Sequence, residues 1–387
     1  MRNDFDLLHP SELASRDVQD WNALQTANPA FSNPLLSPQF AQAVGALRSD
    51  ARVAIWRQDG TSAGFFAFHR RPSAFARPIG APFSDLQGPV SRADASLGRG
   101  EILGAAGIRA LKVNGLVDPY GLMSAGLQGE SVSRRIVLDG DAGQYLDALR
   151  AHSRNGAKNF RRYSQRLEQD LGALSFKGPD RDRASLDRLF AWKSRQLRDS
   201  GLHDYFAVDW IGRLLHRLFD AREGGFEGMM LNLYAGDRHV AGQFGVRLNG
   251  HFHPWIGAMD PGLKAYSPGS LFQWMAVQAM PDLGLTTYEL GEGEGQWKKQ
   301  FALQSLTVRT GMATACTPTS LIGAARERLY GWQTQQSGGL GRIQRRLDQI
   351  AATELTLAGR TRGVISALSN FEKRNAVRLA TATGGNA

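Results

Sequence analysis

Apolar and β-branched residues are concentrated in two stretches of the chain, and a turn dipeptide interrupts each stretch. An Asn-Gly dipeptide at 249–250 divides the run 239–258, and an Asp-Gly dipeptide at 59–60 divides the run 52–70. Both dipeptides tolerate the positive backbone φ angles that a two-residue hairpin turn requires. The pattern therefore predicts an antiparallel strand pair in each half of the chain.

A helix with an unusually open first turn is predicted after the second hairpin. Its first residues are Ser-Pro-Gly-Ser at 267–270, and the pattern continues to Ala279 before Pro281 ends it. Ser267 is a typical helix cap, and Pro268 suits the first turn. Unpaired N–H groups and the positive end of the helix dipole favour phosphate at such a start. The motif fits either a pyrophosphate site or a plain helix cap.

The elements that follow give this region its order. A strand is predicted at 286–290, then an acidic glycine-rich run at 291–295, a short helix at 296–301 and a last strand at 306–310. The order is therefore hairpin, helix, strand, helix, strand, with a possible anion site at the start of the first helix.

The remaining pattern predicts an α+β (mixed α/β) fold in which the N-terminal half has the same order of elements as the second. Further strands are predicted at 5–9, 76–80, 110–116, 135–138 and 173–177. Helices are predicted from Ser11 and at 38–47, 97–106, 141–171 with a break near 155–156, 182–198 and 208–223.

Four motifs of the second half occur together in one known group of enzymes. They are Lys-Ser-Arg-Gln at 193–196, the run 255–260, the Ser-Pro-Gly helix start, and Gly-Glu-Gly at 291–293 followed by Trp297-Lys298. Over roughly residues 1–316 the chain resembles the CelD/BcsL-like acyltransferases of bacterial exopolysaccharide loci. These GNAT-superfamily proteins are related to the FemABX peptidyltransferases. The family usually has Tyr-Lys where this chain has Trp-Lys, so a tyrosine hydroxyl is missing there.

The resemblance implies two tandem GNAT-like lobes, each a mixed sheet flanked by helices. The expected boundaries are 1–140 for the first lobe, 141–316 for the acyltransferase lobe, and 317–387 for a basic, largely helical tail. The implied activity is direct, acyl-CoA-dependent N-acylation, with acetyl-CoA as the expected donor. The implied acceptor is an amino sugar of an exopolysaccharide or cell-envelope glycan precursor. Alternatives are a FemABX-type aminoacyl-tRNA-dependent transferase and a non-catalytic binding protein for lipid or nucleic acid.

Acyl transfer needs a proton acceptor and a group that stabilises the developing oxyanion. Glu289 and Glu292 at a strand end and His253 on the hairpin are the candidate bases, and Glu292 equally fits a solvated turn. Lys298 is the candidate for the oxyanion or a diphosphate, and it equally fits a helix surface. We expect catalytic roles for these four residues.

The resemblance also indicates residues that contact the two substrates. Acyl-CoA is expected to contact Trp255, Ile256, Gly257, Ser267, Gly269, Ser270 and Leu271. The acceptor is expected to contact Lys193, Gln196, Ser84, Asp85, Arg161 and Arg162. The two arginines belong to a basic helix face near Lys158. This face fits either a phosphate-binding site or a solvent-exposed surface.

Composition narrows the remaining possibilities. The 387 residues suit two domains and carry a formal charge of +10, and residues 317–387 contribute ten Lys and Arg against four Asp and Glu. The basic tail can pack on the lobes or contact an anionic membrane, and we expect a cytoplasmic protein, peripheral at the inner membrane face if the tail binds lipid. Nucleic acid is not the expected partner. Cys316 is the single cysteine, and we expect no metal site.

Overall fold

The computed structural model describes residues 3–95, 97–125, 127, 129–138, 142–293, 295–315 and 339–365. Cys316 and the parts 317–338 and 366–387 of the predicted tail lie outside these residues. The strands are β1 (Asn3–Leu8), β2 (Ala51–Gln58), β3 (Thr61–Arg71), β4 (Phe75–Pro78), β5 (Val90–Ser91), β6 (Ala110–Leu116), β7 (Gly129–Val137), β8 (Leu174–Lys177), β9 (Arg222–Glu223), β10 (Phe226–Ala235), β11 (Arg238–Leu248), β12 (His251–Met259), β13 (Thr287–Glu292) and β14 (Gln304–Thr314).

The α-helices lie on both faces of the sheet and in the tail. They are α1 (Ser15–Ala27), α2 (Pro38–Gly45), α3 (Arg99–Ala105), α4 (Ala142–His152), α5 (Arg154–Leu171), α6 (Arg183–Asp199), α7 (Asp209–Asp220), α8 (Pro268–Ala279), α9 (Gln296–Phe301) and α10 (Gly339–Thr353), and the described residues 357–365 are helical as well. The predicted α+β fold with a mixed sheet is confirmed.

The fourteen strands form one mixed sheet in the order β1-β2-β3-β4-β6-β14-β7-β13-β12-β11-β10-β8, while β5 pairs with β3 and β9 with β10. Within the described residues, the named strands pair in parallel twice, once in each half of the chain, at β4 with β6 and β12 with β13. The other strand pairs are antiparallel. This repetition agrees with the order of elements predicted for the two halves.

The two halves share one sheet because the last strand crosses into the first half. β14 pairs with β6 through Arg309 and Leu116, and it pairs with β7 through Gln304 and Arg135. One hydrophobic cluster is also common to both halves. The lobe boundary predicted at residue 140 falls between β7 and α4 and stays a prediction.

The described part of the C-terminal tail packs against both halves of the chain. Asp348 on α10 forms ion pairs with Arg77 at 2.8 Å and with Lys112. The indole N–H of Trp210 on α7 donates to the carbonyl of Thr353 at 2.9 Å. Intramolecular packing therefore accounts for at least this segment of the basic tail.

Both predicted hairpins are present, and Asp59, Gly60 and Asn249 have positive φ angles of 52°, 79° and 50°. The local pattern was less accurate at helix ends. The helix expected from Ser11 begins at Ser15 after a 3₁₀ turn. The break expected near 155–156 within 141–171 is present but lies slightly earlier, between the end of α4 at His152 and the start of α5 at Arg154.

Gly115 at the end of β6 fixes the loop that carries Asp85. Its carbonyl accepts the N–H of Gln87 at 3.0 Å, and its φ angle is +63°. A Cβ at this position would lie 1.8 Å from the carbonyl oxygen of Asp85, so a side chain cannot be added without moving that loop. Only glycine satisfies both the backbone angle and the close approach.

We predict that Gly115→Ala lowers the free energy of unfolding by at least about 3 kcal/mol, since a backbone clash adds to the cost of a positive φ angle. Gly121→Ala is the matched control, because Gly121 has a φ angle of +73° but no atom within 4 Å of an added Cβ. Its cost should be about 1 kcal/mol. Equal costs in denaturant unfolding would contradict the clash.

Candidate functional site

The site begins where β12 and β13 separate. The two strands pair only at His251 with Thr287 and at Phe252 with Tyr288. β13 then continues alongside β7, and its register shifts between Glu289 and Gly291. On its other side, β12 has a bulge at Trp255, because Phe244 pairs with Ile256 and Gly245 pairs with Pro254. The peptide groups of β12 beyond Phe252 therefore lack a strand partner on the side of β13.

A cavity of about 1120 Å³ occupies the gap between these strands and extends to the first half of the chain. The start of α8, the helices α6 and α9 and the loop around Asp85 also line it. Gln349 of the tail helix contributes to its wall. The cavity is therefore built from both halves and the tail.

The start of α8 opens into this cavity, although the predicted cap is wrong. Ser267 adopts a left-handed conformation with φ 49° and ψ 52°, and its side chain does not cap the helix. Its carbonyl accepts from the N–H groups of Ser270 at 3.0 Å and Leu271 at 3.2 Å. Gly269 and Ser270 line the cavity, whereas the side chain of Leu271 is buried in the core. Gly269 therefore leaves the helix start open apart from the flexible end of Met259, which lies 3.2 Å from the position of an added Cβ.

Asp85 and His253 lie in close contact at the edge of the cavity. Nε2 of His253 lies 2.8 Å from Oδ1 of Asp85, and the side chain of His253 is 1% exposed while that of Asp85 is 30% exposed. Burial opposes charge on Asp85, but the nearby His253 outweighs it and lowers the pKa of Asp85. Burial likewise opposes charge on His253, but Asp85 raises its pKa overall. Asp85 is the member of the pair that reaches the cavity.

A second histidine and two residues from the first half extend this pair into a network. The amide nitrogen of Asn33 lies 2.9 Å from Nδ1 of His253 and 3.4 Å from Nε2 of His251. Nε2 of His251 is 3.0 Å from Oε1 of Glu289. Nδ1 of His251 is 2.9 Å from the hydroxyl of Ser32. Oε2 of Glu289 is buried without a hydrogen-bond partner, and Glu289 lines the cavity.

Lys298 on α9 also lines the cavity. Its ammonium group donates to the carbonyl oxygen of Glu292 at 2.6 Å, not to the Glu292 carboxylate. A Cβ at Gly291 would lie 2.9 Å from Oδ2 of Asp85 and 3.5 Å from Nζ of Lys298, so both charges converge on this glycine. Burial lowers the pKa of Lys298, and the attraction of Asp85 and Glu292 offsets only part of that effect.

The residues predicted for the acceptor are divided between cavity and surface. Lys193 and Gln196 line the cavity, and the lysine donates to the glutamine at 3.1 Å. Burial lowers the pKa of Lys193. The hydroxyl of Ser84 donates to the carbonyl of Ile79 within its own loop, which argues against the predicted substrate contact.

Other predicted residues face away from the cavity. Arg161 and Arg162 are exposed on α5, and the guanidinium of Arg162 lies over the ring of Tyr163 at 4.6 Å.

Ile256 is fully buried in the core, so only its backbone can face a ligand. Glu292 and Gly257 line the cavity as predicted, and the structure leaves their roles as predictions.

Trp255 links the two halves beside the cavity. Its ring lies 5.6 Å from that of Phe40 and 5.8 Å from that of Phe83. Its indole N–H is buried without a hydrogen-bond partner, and the residue lines the cavity. The bulge in β12 therefore places an unpaired donor next to an aromatic wall.

Sequence reasoning missed the roles of Asn33, Ser32 and His251 in the site. His251 and His253 are two residues apart on one strand, so their side chains lie on the same face of the sheet. This spacing was a signal in the sequence that the two histidines could act together. The contribution of Asn33 left no local signal, because its contacts to the two histidines span 218 and 220 residues of sequence.

The described residues contain neither a candidate metal site nor a candidate membrane span. No group of three or more His, Cys, Asp or Glu side chains there could hold a metal ion. Nor is any helix of that part of the chain both long and apolar enough to cross a bilayer.

Residues 154–299, less than half of the chain, match the family model described as an acetyltransferase (GNAT) domain. No curated protein sequence matches significantly. The domain match confirms the predicted GNAT-type acyltransferase enzyme, and such a domain implies acyl-CoA use in general. The matched residues include α8, β12, β13 and Lys298, and they exclude Asn33 and Asp85.

Three solved structures are similar over most of the chain. FemX is 12% identical with a TM-score of 0.53, covering 82% of this chain and 99% of FemX. A tandem GNAT protein from the clavulanic acid biosynthesis pathway is 11% identical with a TM-score of 0.44, covering 82% and 99%. The C-terminal domain of a putative lysylphosphatidylglycerol synthetase from Agrobacterium fabrum is 12% identical with a TM-score of 0.45, covering 81% and 96%. The likeness to FemX shows the fold alone.

We predict that Lys298 loses its proton at lower pH in the folded protein than in the unfolded chain, because burial lowers its pKa. Pulse labelling of amines at a series of pH values, read by mass spectrometry, measures the midpoint for the peptide that contains Lys298. The same labelling in denaturant is the control and should give the ordinary, higher midpoint. Identical midpoints would contradict the proposed environment of this lysine.

Proposed function

We propose that the protein is an acyl-CoA-dependent N-acyltransferase that transfers its acyl group directly to the amine of an amino sugar. The observation that carries the proposal is the cavity between β12 and β13, which joins an open helix start to the charges at Asp85 and Lys298. The GNAT match over 154–299 supports the reaction class. The CelD/BcsL-like motifs favour an exopolysaccharide or cell-envelope glycan precursor as acceptor.

The donor fits the gap between the strands. Unpaired peptide groups of β12 beyond Phe252 can hydrogen-bond the amides of a pantetheine chain, as an added strand does. Gly269 leaves the first turn of α8 open to a pyrophosphate. The buried, unpartnered N–H groups of Trp255 and Gln273 give two further donors for the chain. The residues present therefore fit acyl-CoA, and we expect acetyl-CoA to be the donor used.

The chemistry is assigned to the two charges that converge on Gly291. The acceptor nitrogen attacks the thioester carbonyl carbon, the C–N bond forms, the C–S bond breaks and the thiolate leaves. The proton of the acceptor nitrogen passes to Asp85, and the ammonium of Lys298 stabilises the developing oxyanion. His253 acts behind Asp85 and does not line the cavity, which corrects its predicted role as the base.

The acceptor occupies the part of the cavity that faces the first half of the chain. Phe83, Trp255 and Tyr205 line this part, and the Phe83 ring lies 5.5 Å from the Tyr205 ring. Aromatic faces suit the C–H surface of a sugar ring, and Lys193 supplies a positive charge beside them. Lys193 has no acidic partner within 4 Å among the described residues, which suits an acceptor that carries phosphate or carboxylate.

The remaining alternatives make different predictions for binding. An aminoacyl-tRNA donor would make activity sensitive to ribonuclease, whereas acyl-CoA-dependent transfer is insensitive to ribonuclease.

A peripheral membrane contact is proposed for the tail, where Leu357 is 80% exposed and Ile365 59% exposed next to Arg360 and Arg362. Co-sedimentation with anionic vesicles, with and without residues 317–387, decides that contact independently of catalysis.

We predict that Gly269→Trp weakens acetyl-CoA binding by about ten-fold or more, because the indole covers the helix start where a pyrophosphate would lie. The added Cβ meets only the flexible end of Met259, at 3.2 Å, so the fold should tolerate the change. Gly104→Trp on α3 is the control, since nothing lies within 4 Å of its Cβ. Equal affinity of the two variants in calorimetry would overturn the donor site.

We predict that Asp85→Asn lowers kcat by about 10²- to 10⁴-fold, because the amide keeps the shape of the carboxylate but cannot accept the proton. Acetyl-CoA affinity should change little. Asp94→Asn, an exposed carboxylate paired with Arg92, is the control and should keep wild-type activity. A thiol-release assay with amino-sugar acceptors measures both, and full activity of Asp85→Asn would reject Asp85 as the base.

A further inference from the structure

The ring of His253 has two nitrogens with chemically different partners. Nε2 faces Oδ1 of Asp85 at 2.8 Å, and Nδ1 faces the amide group of Asn33 at 2.9 Å. A neutral imidazole carries its proton on one nitrogen and accepts on the other. Which nitrogen carries the proton therefore depends on the orientation of the Asn33 amide.

A backbone contact fixes that orientation. The side-chain oxygen of Asn33 accepts the N–H of Leu35 at 3.0 Å and caps the 3₁₀ turn Pro34–Leu36. The amide nitrogen must then face the two histidines. Because this nitrogen is only a donor, Nδ1 of His253 has to accept, and the proton has to sit on Nε2, facing Asp85.

The other groups around His253 have opposing effects on its charge. Asp85 and Glu289 favour a positive ring, and Lys298 on α9 disfavours it. Burial disfavours a positive ring most strongly, and His251 is the remaining titratable group in contact with the same amide. Together these groups raise the pKa of the ring. A second proton on Nδ1 would break the contact with Asn33, so the amide opposes this net effect and favours the neutral ring.

We propose that Asn33 is a positioning residue that holds His253 as the neutral Nε2–H tautomer, so that the ring 2.8 Å from Oδ1 of Asp85 carries no positive charge. A neutral ring leaves the carboxylate more basic than an imidazolium would, and Asp85 has to accept a proton during transfer. The catalytic part of this inference rests on the proposed function. The tautomer itself does not.

Asn33→Asp tests the proposal with little change of shape. Aspartate caps a helix start as well as asparagine does, so the contact to Leu35 is kept. Its second oxygen faces Nδ1 as an acceptor and draws a second proton onto the ring. Nitrogen-15 NMR of the full-length protein at neutral pH, with the His253 signals identified by their loss in His253→Gln, reports the protonation of both nitrogens.

The expected wild-type spectrum shows a bare Nδ1 and a protonated Nε2, and Asn33→Asp shows both nitrogens protonated. Its kcat should fall by about ten-fold with an unchanged KM for acyl-CoA, since one pKa unit at a group is a factor of ten in its protonation. Asn28→Asp is the matched control. Asn28 also caps a 3₁₀ turn in the same loop through Ala30, but its amide donates to Tyr120 at 2.8 Å. Neither the spectrum nor kcat should change in this variant.

Each deviation from this pattern contradicts a definite part of the inference. A protonated Nδ1 in the wild type, or no spectral change in Asn33→Asp, overturns the tautomer lock. A changed spectrum with wild-type kcat overturns the positioning role. If Asn33→Asp fails to fold, Asn33→Ser keeps the cap and removes the donor, and it should show a mixture of tautomers. If no acyl transfer is detected with any acceptor, the proposed function fails, while the spectra still decide the tautomer.

Discussion

The separation of β12 from β13 after two residue pairs is the constraint on which the site depends. Peptide groups that leave a sheet have to find other partners, because an unpaired buried N–H or C=O costs about 1–3 kcal/mol. The peptide groups of β13 find these partners in β7, with which β13 pairs. β12 is left with one edge facing a cavity, and an extended ligand can occupy that edge. The bulge at Trp255 and the open start of α8 make room along the same path.

The charged groups of the site are held by contacts between distant parts of the chain. Asp85 comes from a loop of the first half, His253 from the hairpin of the second, and Asn33 from a capped turn near the N-terminus. Burial alone would make such charges costly. Pairing Asp85 with His253 and Glu289 with His251 offsets that cost and orients the groups at the same time. The matched GNAT domain, residues 154–299, therefore includes His253 and Glu289 but not Asp85 or Asn33.

Local patterns predicted the elements well and their partners poorly. The Asp-Gly and Asn-Gly turns, the helix start at Pro268 and the strand before Gly291 follow from short-range rules, and all are present. The left-handed conformation of Ser267 is unusual for serine, so the expected side-chain cap was wrong. The network around Asn33 and the crossing of β14 depend on pairings between residues far apart in sequence. Periodicity carries no information about such pairings.

The position of β14 between β6 and β7 also bears on how the protein is made. Both neighbouring strands leave the ribosome long before β14 does, since β7 ends at Val137 and β14 begins at Gln304. At typical synthesis rates the gap lasts on the order of ten seconds or more. During that time each strand exposes an unpaired edge, which is a template for aggregation. The nascent N-terminal half therefore has to be shielded, by a chaperone or by its own transient pairing, until the end of the sheet is translated.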